Sequence, residues 1–240
     1  MNMRKKLIGV GVLLLALLGF VVGSVAAYRG QPGPYEWAPK LNLATSTAEL
    51  SEEEKEALLY MVEEEKLARD VYMTLYEKFN LPIFQMIAES EQRHVDAVLE
   101  LIEKYNITPP STLDEVGKFE NEELQALYEQ LIGMATDEIS ALKVGALIEE
   151  TDIEDLKEWM EKVDNADIIQ VFESLMRGSE NHLRAFVRNL EIRGTQYEAQ
   201  VLSQEEVDKI LSSTGTMGHG FRGRGKGGVF GRGHPFGPFH

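Results

Sequence analysis

The chain has 240 residues, a formal net charge of −16 and no cysteine. The lack of cysteine excludes disulfides, thiolate catalysis, iron–sulfur clusters and cysteine-ligated zinc. Most of the acid is glutamate on helical segments, where it predicts a solvated face and argues against general nucleic-acid binding by the main body.

The first 27 residues have the pattern of a targeting segment. Basic residues at 4–6 precede an uncharged apolar run over 7–22, and small residues at 24–27 offer a signal-peptidase site. An uncleaved membrane anchor is the alternative, because the apolar run is long enough to span a bilayer. Both interpretations predict a secreted or extracytoplasmic protein, and the second attaches it to the cell membrane. Residues 28–50 contain several Gly and Pro and predict an extended linker.

Residues 51–211 form the predicted folded domain. Its helix ends are marked by capping boxes, prolines and glycines that flank amphipathic segments. The predicted bounds are about 51–80 and 82–105 for a first pair of long helices, 121–132 for a small helix, 136–163 and 165–192 for a second long pair, and 203–211 for a short C-terminal helix. The signals are Ser51 with Glu54, Pro82, Gly133, Thr136, Asn165, Gly194, and Ser203 with Glu206.

The order of these helices predicts the fold class. No segment has the period-two pattern of a β-strand. The connection within each long pair is short, so its helices are expected to lie antiparallel, and residues 106–135 form a long connection between the pairs. This layout predicts an all-α, ferritin-like four-helix bundle with a long crossover between the second and third long helices, plus a short C-terminal helix.

Residues 212–240 form a predicted disordered tail. From Gly215 onward the composition shifts to Gly, Arg and Phe, with histidines at 219, 234 and 240. We interpret it as a flexible solubilising extension. The alternative is a tail that gathers metal or binds an anionic surface. No nucleic-acid partner is expected, because the protein is predicted to be exported.

Polar side chains interrupt the inward-facing stripe of each long helix, where Leu or Ile would be ordinary. Each stripe steps alternately by three and four residues, so its members share one helix face. The candidate metal ligands are Glu65 on the first long helix, Glu91 and His94 on the second, Glu149 and Asp152 on the third, and His182 on the fourth. A carboxylate is costly to bury alone, and a metal pair is the simplest shared counter-charge.

The pair Glu91-x-x-His94 is the sharpest of these signals, because a spacing of three places both side chains one turn apart on one face. In ferritin-like di-metal sites two helices each carry such a pair. Here Ser179 stands three residues before His182, where that pattern has Glu, and Asp152 is the candidate replacement. This departure leaves open whether the site holds one metal or two.

Three of the assignments have alternatives. Glu65 follows Glu63 and Glu64, and could be a surface acid of that run. The neighbouring Glu150 could point inward in place of Glu149. Asp152 could support a ligand or be solvated instead of binding metal directly.

Two motifs resemble those of a known family. Glu65-x-x-Ala68-Arg69-x-x-Tyr72 looks like the first-helix motif of rubrerythrins, and the segment 88–94 is similar to their second-helix motif. With His182-Leu-Arg-Ala-Phe186, residues from about 50 to 211 resemble the ferritin-like family called domain of unknown function 2202. The resemblance implies a di-iron-type bundle, and rubrerythrins imply reduction of peroxide.

The sequence therefore predicts a metal-binding protein with a carboxylate and histidine di-metal centre. Iron is the expected ion, two per site, and manganese is the alternative because hard oxygen and nitrogen donors suit both. The expected partner is peroxide or O₂, and no catalytic residue is assigned. A metal buffer without turnover and a metal-free structural bundle are the competing functions. The oligomeric state is left open between homodimers and larger cages.

Overall fold

The computed structural model describes residues 49–213, which form six α-helices and no β-strand. We number the helices in chain order: α1 (Glu52–Phe79), α2 (Pro82–Lys104), α3 (Glu122–Met134), α4 (Glu138–Met160), α5 (Ala166–Ile192) and α6 (Gln204–Ser212). The all-α prediction is confirmed for this part of the chain. The predicted targeting segment, most of the linker and nearly all of the tail lie outside the described residues. None of the described helices is long and apolar enough to cross a membrane.

The four long helices form the bundle. Helix α1 packs against α2, and α4 packs against α5, as the short connections predict. Contacts of α2 with α5 and of α1 with α4 close the bundle around one core. Helix α3 lies in the crossover between the two pairs and contacts α1 and α4. The middle of the bundle is therefore lined by one face from each long helix.

Local capping explains where α1 begins and ends. The Ser51 hydroxyl accepts a hydrogen bond from the Glu54 backbone N–H at 3.1 Å, and the Glu54 carboxylate accepts one from Ser51 N–H at 2.9 Å. Asn80, with a φ of 53°, ends the helix in the left-handed conformation. The predicted capping box is therefore confirmed, and Pro82 then occupies the first turn of α2, where its missing N–H costs nothing.

Three predicted helix ends were wrong by a few residues. The N-cap of α4 is Asp137 instead of Thr136, because the Asp137 carboxylate accepts from the Ser140 N–H at 2.8 Å. Helix α3 continues through Gly133, which has ordinary helical backbone, and ends at Met134. Helix α4 ends at Met160, three residues earlier than predicted.

The predicted inward stripes are buried, and one end of the core is aromatic. The rings of Tyr72, Phe84 and Phe186 lie with centroids 5.3–6.1 Å apart, and all three side chains are inaccessible to solvent. These rings close the bundle on one side of the polar residues. His94 is the one member of the four stripes that is partly exposed.

Part of the acid expected on solvated faces is buried and holds the chain segments that wrap the bundle. Glu63 accepts hydrogen bonds from the backbone N–H groups of Glu120 at 2.6 Å and Asn121 at 3.0 Å, which fixes the crossover to α1. Lys66, which is fully buried, pairs with Asp70 at 2.6 Å and donates to crossover carbonyls. These acids are therefore structural acceptors, because covering α1 with the crossover leaves N–H groups that need partners.

Glu150 has the same role on α4. Its carboxylate accepts from the Tyr197 hydroxyl at 2.5 Å and from the backbone N–H groups of residues 200–202 at 2.8–3.0 Å. The segment that leads into α6 is thereby attached to α4. Glu150 is buried, but it faces this segment and not the bundle centre, so the alternative assignment of Glu150 in place of Glu149 is excluded.

Candidate metal centre

Two groups of three side chains meet in the middle of the bundle. The first contains Glu65, Glu91 and His94, and the second contains Glu91, Glu149 and His182. Within each group the ligand atoms lie within 4.8 Å of one another. Glu91 belongs to both groups, so the two sets of ligands adjoin through one carboxylate.

The first group joins α1 to α2. His94 Nδ1 lies 3.1 Å from Glu65 Oε2 and 2.7 Å from Glu91 Oε2. The two carboxylates are almost completely buried, whereas the imidazole is 13% exposed. Of the run Glu63–Glu64–Glu65, Glu65 is thus the residue that faces the imidazole, as predicted.

The second group joins α2 to α4 and α5. His182 Nδ1 lies 2.8 Å from Glu91 Oε1 and 3.5 Å from Glu149 Oε2. The Tyr72 hydroxyl donates to the other oxygen of Glu149. Glu91 therefore presents one oxygen to each imidazole.

Several buried polar atoms here have no hydrogen-bond partner. They are Glu65 Oε1, Glu91 Oε1, Asp152 Oδ1 and His182 Nδ1. His182 Nδ1 and Glu91 Oε1 are close, yet their orientation does not make a hydrogen bond. Buried polar groups are nearly always satisfied, so a concentration of buried oxygen and nitrogen atoms without a hydrogen-bond partner fits a cation better than a closed hydrogen-bond network.

Asp152 lies beside the two groups and belongs to neither. The Ser179 hydroxyl donates to its Oδ2, and Oδ1 is one of the atoms without a partner. Burial raises the pKa of the Asp152 carboxyl, and the charges of Glu65, Glu149 and Glu91 raise it further. The Asp152 carboxyl is thus close enough for all three carboxylates of the centre to affect its pKa. Because Asp152 is buried, the alternative that it is solvated is excluded.

The carboxylates of the centre raise the pKa of both imidazoles. Burial lowers the pKa of His182, but Glu91 and Glu149 outweigh it and raise that pKa to about 10. Burial also lowers the pKa of His94. The charges of Glu65 and Glu91 outweigh burial and raise that pKa well above its usual value. Both pKa shifts favour the protonated imidazoles when no metal is bound, and a bound cation would replace those protons.

The carboxylates shift in opposite directions. Burial alone would raise the pKa of Glu91, but His182 and His94 hold it well below its usual range. Burial and the charge of Glu91 raise the pKa of Glu149 to about 7. The shared carboxylate is therefore the one that stays ionised over the widest pH range, as a bridging ligand requires.

Sequence reasoning missed Glu64, which is buried beside the centre. Burial raises the pKa of its carboxyl well above the usual value, and the charges of Asp155 and Asp152 add to the shift. Asp155 accepts from the Tyr60 hydroxyl at 2.8 Å. The available signal was a second periodic stripe on α1, in which buried residues recur at 57, 60, 64, 67 and 71.

The sequence profile of a family described as an uncharacterized protein domain, DUF2202, matches residues 54–214. The chain belongs to this family. The uncharacterized protein MJ0754 of Methanocaldococcus jannaschii is 54% identical over 170 residues, which cover 70% of this chain and 92% of that protein. The crystal structure titled hypothetical protein MJ0754 from Methanococcus jannaschii is 53% identical with a TM-score of 0.69, and the match covers 71% of this chain and 98% of the other.

All six predicted ligands lie inside the part of the chain that matches DUF2202. The predicted family is therefore confirmed, and the candidate centre belongs to the shared domain. The N-terminal segment and the tail beyond residue 214 lie outside the match.

Proposed function

We propose that this DUF2202 domain binds two metal ions in the middle of its four-helix bundle. One ion is held by Glu65, Glu91 and His94. The other is held by Glu91, Glu149 and His182. Glu91 would belong to both sites, because one of its oxygens faces each imidazole.

The sharing of Glu91 is the observation that supports this proposal most. Two groups of three candidate ligands, which together come from four helices, share this carboxylate. A structural hydrogen-bond network would satisfy its buried atoms, whereas here four oxygen and nitrogen atoms have no partner. The described ion pairs of Glu65, Glu91 and Glu149 are with the two imidazoles.

The donors favour iron. Carboxylate oxygens suit hard cations such as Fe²⁺ and Mn²⁺, and two imidazoles add affinity for iron. Both imidazoles offer Nδ1 to the centre. Manganese is the alternative ion, and the chain has no thiolate that would select zinc or copper.

We further propose that Asp152 supplies the carboxylate that α5 lacks. Ser179 stands where a second bridging Glu is expected, and its hydroxyl donates to Asp152. This hydrogen bond leaves Asp152 Oδ1 without a partner beside the carboxylates of both groups. A short side chain on α5 thus makes room for a carboxylate from α4.

The reaction we propose is reduction of peroxide or O₂, following the resemblance to rubrerythrins. Two reduced iron ions would supply the two electrons. The chain contributes the ligand set, the hydrogen bond from Tyr72 that orients Glu149, and the aromatic rings that exclude water from one side. Burial and Glu149 raise the pKa of the Tyr72 hydroxyl well above its usual value, so this residue remains a hydrogen-bond donor.

Metal analysis of the purified full-length protein tests the binding proposal. We expect close to two ions per chain in the wild type, a loss of both in Glu91→Ala and a loss of one in His94→Ala. Glu89→Ala is the matched control, because Glu89 is an exposed acid on the same helix. A wild type with only trace metal, and no change in metal content among the three variants, would favour a metal-free structural bundle.

Anaerobic loading with Fe²⁺ tests the redox part separately. Addition of one equivalent of peroxide should consume it and produce near-ultraviolet absorption of an oxidised iron pair. Binding of Fe²⁺ without peroxide or O₂ consumption would favour the competing function, a protein that holds metal without turnover.

A further inference from the structure

Gly178 lies inside helix α5 at a place where glycine is not needed for backbone conformation. Its φ is not positive, and alanine is the better helix former by about 1 kcal/mol. The reason for glycine must therefore be the space that a side chain would occupy.

That space is filled by the imidazole of His94. A Cβ atom added to Gly178 would lie 2.5 Å from both Cε1 and Nε2 of the His94 ring. Real Cβ atoms essentially never approach other atoms so closely. The α5 backbone and the edge of the His94 ring are thus in direct contact, which only a residue without a side chain allows.

The ring has little freedom to move away from that contact. Its Nδ1, which is bonded to Cε1, lies 2.7 Å from Glu91 and 3.1 Å from Glu65. One face is stacked on the His182 ring, with centroids 5.5 Å apart. A methyl group at 178 would therefore push the imidazole into the carboxylates or out through the partly exposed side of the centre.

We propose that Gly178 is a positioning residue of the first metal site. The missing side chain lets the His94 imidazole rest against the α5 backbone, and this contact directs Nδ1 toward Glu65 and Glu91. The inference rests on the proposed function. It adds the expectation that the first site is affected more than the second, because the three atoms nearest the added Cβ all belong to the ring of His94.

The test is an anaerobic Fe²⁺ titration of full-length wild type and Gly178→Ala, followed by calorimetry. We expect one of the two binding events to weaken at least tenfold and the other to stay within about threefold. A Co²⁺ titration should show the same selectivity in visible absorption, which reports ligand geometry. Gly133→Ala is the matched control, since Gly133 is also helical and a Cβ there would meet nothing within 4 Å.

A second measurement covers the case in which Gly178→Ala folds poorly. In a His94→Ala background the space is vacant, so adding Gly178→Ala should leave the melting temperature of the metal-free protein unchanged or raise it. The same substitution with His94 present should lower it. Equal destabilisation in both backgrounds would overturn the inference.

The outcomes separate the two proposals. A wild type that binds no Fe²⁺ removes the proposed function and this inference with it. A wild type that binds two ions, together with unaltered binding by Gly178→Ala, removes the inference alone.

Discussion

The two helical pairs of the bundle supply the same ligand types by different routes. In the first pair, α1 gives Glu65 and α2 gives both Glu91 and His94. In the second pair, α4 gives Glu149 and α5 gives His182. Three residues before its histidine, α2 has a glutamate, whereas α5 has Ser179.

The second pair carries its additional carboxylate on the other helix. Asp152 follows Glu149 by three residues, and the residue with the same spacing after Glu65 is Ala68. The hydrogen bond from Ser179 to Asp152 joins the two changed positions directly. The comparison teaches that the carboxylate in contact with the serine position of α5 comes from the neighbouring helix α4.

Removing one imidazole at a time tests whether the pairs are separate sites, and it has the largest expected effect. His94→Ala should lose the ion of the first pair, and His182→Ala should lose that of the second, because each imidazole belongs to one group only. Metal content per chain should fall from about two to about one in each variant. Complete loss in both would mean that the centre binds a single shared ion.

Moving the carboxylate back to α5 sharpens the comparison. Asp152→Ala should lower the affinity for the second ion by about 10- to 100-fold, a range typical for groups that support or complete a metal site. Adding Ser179→Glu to Asp152→Ala should recover much of that loss in a calorimetric Fe²⁺ titration. Ser179→Ala in the same Asp152→Ala background serves as the control, since it changes residue 179 without supplying a carboxylate. No recovery in the double variant would contradict the relocated carboxylate.

The affinity for metal should rise with pH in both pairs. The pKa of His182 is raised from its ordinary 6.5 to about 10, so binding near neutral pH has to displace a proton from each imidazole. The dissociation constant should fall about tenfold per pH unit for each proton displaced. Titrations at pH 6, 7 and 8 measure the slope, and a flat profile would show that the imidazoles are not ligands.

The folding stability of the metal-free protein should fall as the pH rises, whereas the affinity for metal should increase. A folded-state pKa above the unfolded value means that His182 contributes its full stability below pH 6.5 and loses it as the pH rises toward 10. Glu149, with a pKa raised to about 7, adds to the loss, because its protonated form is the one the fold favours. Melting of the metal-free protein between pH 6 and 9 should therefore show a falling midpoint.

The smallest effect on the centre is expected at two buried acids that face the crossover and the C-terminal segment instead of the centre. Glu150 accepts from one hydroxyl and three backbone N–H groups, whereas Glu63 accepts from two N–H groups. Glu150→Gln should therefore destabilise the fold by about 2 kcal/mol and Glu63→Gln by about 1 kcal/mol. Urea unfolding measures the difference, and the metal content of both variants should equal that of the wild type.

Much of the fold follows from local signals in the sequence. The capping boxes at Ser51 and Ser203 and the helix end at Gly194 were predicted, and the structure has both boxes and a Gly194 with a φ of 74° after α5. The cap of α4 was not, because Thr136 and Asp137 are both capping residues and only the carboxylate reaches the Ser140 N–H. Neighbouring residues with similar capping ability are distinguished by geometry that a sequence pattern does not contain.

The convergence of the six polar residues could be predicted because each interrupts an apolar stripe. The burial of Glu63, Glu64 and Glu150 could not, because a helix-period pattern identifies one inward face and treats the others as solvated. Helices α1 and α4 are covered on further faces by the crossover and by the C-terminal segment. Which acids those segments cover depends on long-range packing.

The single carboxylate common to both groups has a thermodynamic consequence. In the proposed centre, an ion in one position would orient Glu91 and neutralise part of its charge, so the free energy of adding the second ion would depend on the first. Such dependence is reciprocal: each position changes the affinity of its neighbour by the same factor. The binding isotherm of the wild type should therefore differ from the sum of the isotherms measured in His94→Ala and His182→Ala. The size of that difference gives the coupling free energy between the two helical pairs.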